Sequence, residues 1–149
     1  MGWRQTLRGV VAPWECDDNR HLTARFYVPK FDDSAYLLFF DAGVRLPELR
    51  GRGFALVTAS HHISYIAELR NEDVFTIEGA FVRVGRSSVR SVQKMLNGRT
   101  GALVATCVGV DALFDLEARR SAPWPEDLKV ALAAAQVTLS EAERALFER

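Results

Sequence analysis

Four long runs of strand-forming residues occupy the middle of the chain and restrict its fold more than any other feature. They are rich in Val, Ile, Phe, Tyr and Thr, and they extend over residues 55–69, 74–84, 88–96 and 103–114. The breaks between them are hairpin-sized and carry turn residues such as Asn, Asp and Gly. We therefore predict an antiparallel meander of four strands, several of them long enough for a sheet that curves around another element.

A segment with helical periodicity precedes these strands. Its apolar residues recur at spacings of three and four, at Phe31, Ala35, Leu38, Phe39 and Ala42. This pattern predicts one helix, with Pro29 in the first turn and Gly43 as the stop. A first strand over residues 7–11 and a polar loop over 15–23 are expected before it. A single helix must bury its apolar stripe on the concave face of the sheet.

The chain reads as one α+β domain over residues 1–149. Hydrophobic residues make up 48% of it, enough to bury a core, and we find no repeat or linker. Pro123 and Pro125 end the strand-rich region. Residues 130–149 form an Ala-rich tail that is expected to be helical, where Ser140 and Glu143 match a capping box.

Charge and hydropathy exclude several classes of function. Nineteen basic residues balance nineteen acidic ones, so no net field attracts nucleic acid or an anionic membrane. No apolar run approaches the ~18 residues of a membrane span, and the N-terminus lacks the apolar core of a signal peptide. We expect a cytoplasmic protein that binds neither nucleic acid nor membrane. Two cysteines, Cys16 and Cys107, cannot form a disulfide framework.

The polar segment 14–27, directly before the predicted helix, resembles the active-site loop of the hotdog-fold thioesterases. That loop reads D-x-x-G-H-x-N-x-x-x-Y, and Asp17, His21, Thr23 and Tyr27 stand here at the same spacing. The triplet that begins at His21 approaches the H-M-T of relatives in carnitine and betaine metabolism. The resemblance continues through residues 31–35, 60–69, 105–106 and 123–128, and covers roughly residues 10–130.

The resemblance implies a hotdog fold, in which a curved antiparallel sheet of about five strands wraps a long central helix. It also implies hydrolysis of an acyl-CoA thioester to free acid and CoA, with no metal and no cofactor beyond the CoA of the substrate. Asp17 would act as nucleophile or general base. The backbone N–H groups of Ala24 and Arg25, at the helix N-terminus, would stabilise the oxyanion.

A homodimer or a dimer of dimers is expected, because one hotdog sheet has an exposed edge that pairing would cover. The substrate pocket would then lie between two subunits. Asp17 of one chain would face strand residues of its partner.

The residues proposed to bind substrate each have a structural alternative. They are Asn19, His21, Thr23, Tyr27, His62, Arg83, Arg86 and Arg90. His21 is favoured as a residue that orders the loop, Thr23 is alternatively a helix cap, and Tyr27 is expected to face the core. Asp17 itself is alternatively a turn cap.

Three arginines surround the turn at Gly85, where they are either ligands for the CoA phosphates or solvated side chains. His61 and His62 must lie on opposite faces of their strand. His62 matches the first residue of the family's H-I-x-Y strand and is alternatively an interface histidine.

Two departures from the family pattern bear on the loop. Arg20 replaces a Gly, and a residue with a Cβ is expected to resist positive φ and divert the loop. Thr23 replaces the family's Asn. Cys16, Asp17, Asp18 and His21 match no zinc spacing, so we expect no metal.

Two rival functions remain open from the sequence. One is a hotdog hydratase or dehydratase that uses Asp17 and His21 as acid and base. The other is a non-catalytic module that binds acyl-CoA. The acyl group is also open, since Asn19 and Thr23 suit a short or polar group, whereas Phe26, Phe31 and Tyr36 suit an apolar one.

Overall fold

A computed structural model describes residues 2–148. One antiparallel sheet forms most of the molecule, with strands in the order β1-β3-β4-β5-β2. A short sixth strand pairs with the end of β5. The strands are β1 (Arg4–Val10), β2 (Phe54–Tyr65), β3 (Val74–Val84), β4 (Ser88–Asn97), β5 (Leu103–Asp115) and β6 (Arg120–Ser121). The predicted strands are thus present, with β2 ending at Tyr65 rather than at Leu69.

The predicted four-strand meander is wrong in one connection. Strands β3, β4 and β5 form a meander, but β2 pairs with β5 instead of β3. The backbone N–H groups of Ile66 and Ala67 both donate to the carbonyl of Val104, at 2.8 and 3.0 Å, and the β2–β5 ladder ends there. Residues 66–73 therefore cross to the far side of the sheet, and β2 becomes an edge strand.

The long helix α1 (Tyr27–Asp41) lies on the concave face of the sheet. A 3-10 turn, Ala24–Phe26, leads directly into it, and Pro29 falls in its first turn as expected. Its buried residues are Tyr27, Phe31, Ser34, Leu38 and Phe39. Ser34 therefore takes a place in the stripe that the sequence assigned to Ala35. Its buried hydroxyl hydrogen-bonds the hydroxyl of Thr6 on β1.

The prediction of one helix before the tail is incomplete. A short helix α2 (Leu46–Gly51) follows α1 and carries Pro at its start, and Leu49 anchors it in the core. The tail contains α3 (Glu126–Ala135) and α4 (Glu141–Ala145). The Ser140–Glu143 capping box at α4 is confirmed, because each residue's side chain accepts from the other's backbone N–H, at 3.2 and 2.8 Å.

The tail covers part of the outer, convex face of the sheet. Val137, Leu139 and Phe147 pack on a small buried cluster of Ala80, Val92 and Val108. Trp3 stacks on Phe147 and donates its indole N–H to Glu143 at 2.7 Å. Both ends of the chain are thereby held on the outer face.

Two larger apolar clusters divide the concave side. One surrounds the first half of α1 and includes Phe31, Ile77 and Met95. The other surrounds its second half and includes Leu38, Phe81 and Leu113. No helix within residues 2–148 is long and apolar enough to cross a membrane.

Candidate active site

The loop before α1 is a small hairpin. Cys16 and Leu22 form an antiparallel bridge, and His21 forms another with Arg70. The backbone N–H of Leu22 donates to the carbonyl of Leu69 at 2.7 Å. The hairpin is therefore attached to the crossover that follows β2, and its tip is formed by residues 17–21.

Arg20 adopts a left-handed backbone with φ of 64°. The expectation that its Cβ would divert the loop is wrong, because the conformation expected of the family's Gly is retained. Its backbone N–H closes the turn on the carbonyl of Asp17 at 2.8 Å. A non-glycine residue in this region costs about 1 kcal/mol or more, and the surrounding hydrogen bonds offset that strain.

Asp17 is exposed at the tip of this hairpin. Its Oδ1 accepts the backbone N–H groups of Asn19 and His21, at 2.9 and 3.4 Å. The turn-capping alternative is thus realised by one carboxylate oxygen. The other oxygen, Oδ2, has no hydrogen-bond partner within residues 2–148, so it is available to a substrate or a water molecule.

Glu15 and Lys30 form an ion pair that fixes the base of the hairpin to α1. The other carboxylate oxygen of Glu15 accepts the backbone N–H of Ala12 at 2.9 Å. Burial alone would raise the pKa of Glu15, but the hydrogen bonds from Lys30 and Ala12 outweigh it and lower the pKa. The carboxylate therefore stays ionised and holds the loop in register with the helix.

His21 pairs with Glu68, a residue that the sequence analysis did not single out. Nε2 of His21 lies 2.9 Å from Oε2 of Glu68, and the Glu68 side chain is 59% exposed. Glu68 follows β2 in the crossover, so no local pattern connects it to the loop. This contact agrees with the preferred role of His21 as a residue that orders the loop.

A cleft of about 220 Å³ lies between the hairpin, the start of α1 and the end of β2. Four of the residues selected from the sequence line it: Asp17, His21, Ala24 and Tyr27. Four others were not selected: Leu22, Tyr65, Ala67 and Glu68. The missed residues, apart from Leu22, come from the end of β2 and the crossover, which only the fold brings to the loop.

Backbone donors point out of the same helix start. Ala24 and Arg25 are the first two residues of the 3-10 turn that leads into α1. Their N–H groups precede any helical acceptor, and neither has an acceptor within the described part of the chain. Ala24, whose N–H lacks an acceptor, therefore lines the same cleft as Asp17.

Tyr27 forms the floor of the cleft. It is buried, and its ring meets that of Tyr65 edge-on with centroids 5.0 Å apart. Burial, with smaller contributions from Tyr65 and Glu68, raises the pKa of Tyr27 to about 12. Its phenol therefore stays protonated at neutral pH and can only donate or accept a hydrogen bond there.

Three other loop candidates lie beside the cleft rather than in its wall. Asn19 is exposed and contributes its backbone N–H to Asp17. Thr23 precedes the 3-10 turn without a side-chain capping bond, so the capping alternative is not realised. The Arg25 guanidinium lies over the Phe26 ring at 5.1 Å.

The two adjacent histidines on β2 are now assigned to faces. His61 points to α1, with Nε2 3.5 Å from Oδ1 of Asp32. His62 is exposed and, by strand alternation, lies on the opposite face. Neither lines the cleft at Asp17.

Arg83, Arg86 and Arg90 are exposed around the β3–β4 turn. Arg83 and Arg90 are direct cross-strand partners, so they share the outer face. Neither has an acidic partner within residues 2–148. Strand β3 separates this turn from the Asp17 hairpin by ~30 Å, so one chain holds the two groups at opposite ends of the sheet.

Neither cysteine lines the Asp17 cleft. Cys107 is fully buried, and burial, together with Asp111 and Asp32, raises the pKa of its thiol to about 12. Cys16 and Cys107 are both free thiols. No cluster of three metal-ligating side chains occurs in the chain between residues 2 and 148.

A single helix wrapped by a curled antiparallel sheet, with a polar hairpin before the helix, defines the hotdog class. The family profile described as the thioesterase-like superfamily matches residues 11–132, and the chain belongs to this superfamily. It is by class a thioester hydrolase. No curated protein sequence matches the chain.

Solved structures with low sequence identity share the fold. A hypothetical protein from Staphylococcus aureus, solved in complex with CoA, is 22% identical, with a TM-score of 0.85 over 97% of this chain and 94% of that one. A 1,4-dihydroxy-2-naphthoyl-CoA thioesterase from Synechocystis is 15% identical, with a TM-score of 0.77 over 89% and 96%. A probable thioesterase from Escherichia coli is 15% identical, with a TM-score of 0.78 over 90% and 100%.

Proposed function

We propose that this protein hydrolyses an acyl-CoA thioester, with Asp17 as nucleophile or general base and the N–H groups of Ala24 and Arg25 as the oxyanion hole. The observation that carries the proposal is the cleft that Asp17 and Ala24 share. One lining residue offers a carboxylate and another an unpaired backbone donor, and no cysteine lines the cleft. The S. aureus neighbour that binds CoA supports a CoA thioester as substrate.

The chemistry follows from these groups. The oxyanion that forms when the thioester carbonyl is attacked needs donors that are already in place. Ala24 and Arg25 would supply them, strengthened by the dipole of the continuous helix behind them. Asp17 would either attack the carbonyl itself or remove a proton from the attacking water. In both cases the carbon–sulfur bond breaks, the water oxygen ends in the acid, and a proton goes to the CoA thiolate.

His21, Thr23 and Tyr27 would support this site rather than react. His21 is engaged with Glu68, and Tyr27 stays protonated beneath the cleft. Their proposed roles are to hold the loop and to contact the pantetheine arm or the acyl group. Asn19 at the loop tip would contact substrate from the rim, whereas the outward position of His62 on β2 favours its alternative role as an interface histidine.

A second copy of the chain would complete the site. Strand β2 is a long edge strand whose free side carries no partner in the described residues, and Val57, Tyr65 and Ile66 are exposed there. Such an edge favours antiparallel pairing with its own copy about a two-fold axis. The end of the sheet that carries the partner's arginines would then approach Asp17.

This arrangement is needed if the arginines bind CoA. The arginines of one chain lie ~30 Å from its own Asp17, measured along β3. A dimer, alone or within a dimer of dimers, offers the CoA phosphates Arg83, Arg86 and Arg90 of the partner. We therefore propose that each cleft uses the carboxylate of one copy and the arginines of the other.

The test is release of free thiol from a panel of acyl-CoA esters. Hydrolysis of at least one ester, with loss of activity in Asp17→Asn, is the expected result. Tight binding without release of thiol would instead support a non-catalytic module. Hydration of an enoyl-CoA without hydrolysis would support the hydratase alternative.

A further inference from the structure

A second polar cluster lies about halfway along α1, away from Asp17. We call it the polar slot and define it by Asp32, Thr58, His61, Ser91 and Asp111 around Gly109. These residues come from α1, β2, β4 and β5. They lie between the two apolar clusters that fill the concave side.

The slot contains a buried carboxylate, Asp111, that forms no ion pair with a Lys or Arg side chain within residues 2–148. Asp111 is 7% exposed, and its Oδ1 accepts the hydroxyl of Thr58 at 2.9 Å. The nearest candidate cation is His61, whose Nε2 is already 3.5 Å from Asp32. Buried carboxylates are normally paired, so two acids that share one histidine leave the slot short of positive charge.

Two buried polar atoms on the inward face of β4 have no hydrogen-bond partner within residues 2–148. The hydroxyl of Ser91, on a residue only 1% exposed, has no hydrogen-bond partner within residues 2–148. The same holds for Oε1 of Gln93, the next inward-facing residue of β4, whose Nε2 donates to the carbonyl of Phe31 at 3.1 Å. A buried polar atom without a partner costs ~1–3 kcal/mol, so these atoms indicate a missing partner.

Gly109 lies where Ser91 and His61 approach each other. A Cβ at this position would lie 3.3 Å from Oγ of Ser91 and 3.6 Å from Cδ2 of His61. The contact with Oγ would be tight, so glycine keeps a side chain from crowding the serine hydroxyl here.

A cavity adjoins the slot between α1, β2 and β5. It measures about 130 Å³ and is lined in part by Asp32, Tyr36, Thr58 and Asp111. The Asp17 cleft is a separate cavity, nearer the C-terminal end of β2, where Tyr65 lines it. Asp32 follows Ala24 by eight residues, which corresponds to ~12 Å along a helix.

The chemistry of the slot selects its ligand. It presents two carboxylates, which only accept, together with the hydroxyl groups of Thr58 and Ser91, which can also accept. A group that only accepts hydrogen bonds would meet negative charge there, and an apolar group would leave the Ser91 hydroxyl without a partner. A hydroxyl or a protonated amine satisfies them.

We infer that the polar slot recognises a hydrogen-bond-donating group, a hydroxyl or an amine, at the far end of the acyl chain. The inference rests on the proposed function, because it takes the thioester carbonyl to lie at Asp17 and Ala24. The substrate class is then an acyl-CoA with a polar terminus about 12 Å from its carbonyl carbon. Unsubstituted acyl chains of equal length would bind more weakly.

The test separates binding from hydrolysis. We would measure by calorimetry the binding of non-hydrolysable S-alkyl-CoA thioethers that match in length and end in an amino, a hydroxyl or a methyl group. At least one donor-terminated ligand should bind roughly tenfold more tightly than the methyl-terminated one. The amino and hydroxyl ligands distinguish a charged donor from a neutral one.

Variants assign the preference to the slot. Asp111→Asn removes the buried carboxylate, and Gly109→Ala places a methyl group against the Ser91 hydroxyl and the His61 ring. Each should reduce the preference for the donor-terminated ligand to less than about threefold. Asp33→Asn, at an exposed neighbouring position outside the slot, is the matched control and should retain it.

Three outcomes decide between the claims. A donor preference that both slot variants remove supports the inference, even if no acyl-CoA is hydrolysed and the proposed function fails. Hydrolysis of acyl-CoA esters without any donor preference overturns the inference and leaves the function intact. A preference that survives both variants also overturns it, because the polar terminus then binds elsewhere and the slot holds only water.

Discussion

Nε2 of His21 lies 2.9 Å from Oε2 of Glu68, and this contact joins the hairpin that carries Asp17 to the crossover that follows β2. Neither residue belongs to a helix or a long strand. The pair therefore orders two irregular segments against each other. It also gives His21 a structural task that is independent of proton transfer.

A double-mutant cycle on this pair should show that the two residues act as one unit. Because both side chains are partly exposed, their coupling in unfolding free energy should stay below ~1 kcal/mol. His21→Ala and Glu68→Ala should each lower kcat about tenfold, and the double variant no further, since either loss releases the loop. Glu78→Ala, which breaks the ion pair to Lys94 on the sheet, is the control and should leave kcat unchanged. Additive losses would show separate roles.

Asp17→Asn should keep the fold and lower kcat by roughly two orders of magnitude or more, as expected when a positioned base or nucleophile is lost. The amide retains an oxygen for the backbone N–H groups of Asn19 and His21, so the turn should persist. Steady-state kinetics and circular dichroism would measure the two effects. Asp18→Asn is the matched control. Loss of activity in Asp18→Asn alone would show that Asp18, and not Asp17, is the catalytic carboxylate.

Arg83→Ala or Arg90→Ala should raise KM for acyl-CoA by about ten- to a hundredfold with little change in kcat, if either grips a phosphate. The two guanidinium groups face each other across neighbouring strands, so each removal relieves repulsion and should not lower stability. KM for a truncated pantetheine thioester should not respond. Arg99→Ala, in the β4–β5 turn at the opposite end of the sheet, is the control. If KM for acyl-CoA rose in Arg99→Ala instead, the CoA nucleotide would bind to the chain that carries the reacting Asp17.

Val57→Asp should weaken self-association. Val57 is 38% exposed on the edge strand β2, where a second copy would pair, and a charge there would have to be buried in the apolar contact. Sedimentation velocity at micromolar concentration should show a dimer or larger assembly for the wild type and a shift toward monomer for the variant. An active wild-type monomer would contradict the two-chain site.

The difference in stability between Asp111→Asn and the wild type should depend on pH in a defined direction. Burial, the main cause, raises the pKa of Asp111; Asp32 adds to the rise, while Thr58 and His61 partly oppose it. The native state therefore binds the proton more tightly than the unfolded chain, and stability falls as pH rises through the interval between the two pKa values. Asparagine does not titrate and still accepts from Thr58.

We therefore expect Asp111→Asn to be more stable than the wild type at pH 7, with the difference shrinking as the pH is lowered to 3.5. Urea unfolding across this range measures it. A variant that is less stable at neutral pH would show that the charged carboxylate supports the fold. If Asp111→Asn were more stable, the native Asp111 would lower the stability of the fold.

Local patterns predicted most of the elements because they depend on neighbours in sequence. Turn residues and strand composition delimited β3, β4 and β5, and the capping box located α4. The position of β2 was not predictable in this way. The break at 71–73 resembles a hairpin, yet the chain crosses the sheet there, because long-range pairing with β5 outweighs the local signal.

The same contrast between local patterns and long-range contacts applies to the candidate site. The loop residues Asp17, His21 and Tyr27 were accessible from their spacing, and they meet in one cleft. Glu68 and Tyr65 join them only through the crossover after β2. Arg20 shows the reverse error, because a local φ preference of about 1 kcal/mol was outweighed by the hydrogen bonds of the hairpin.

The C-terminal segment has a consequence for higher assembly. By lying across Ala80, Val92 and Val108 it covers the apolar cluster on the back of the sheet. Two molecules that stacked back to back through this cluster would first have to displace Val137, Leu139 and Phe147. Removal of residues after 136 would expose the cluster and open a route to aggregation that the intact chain closes.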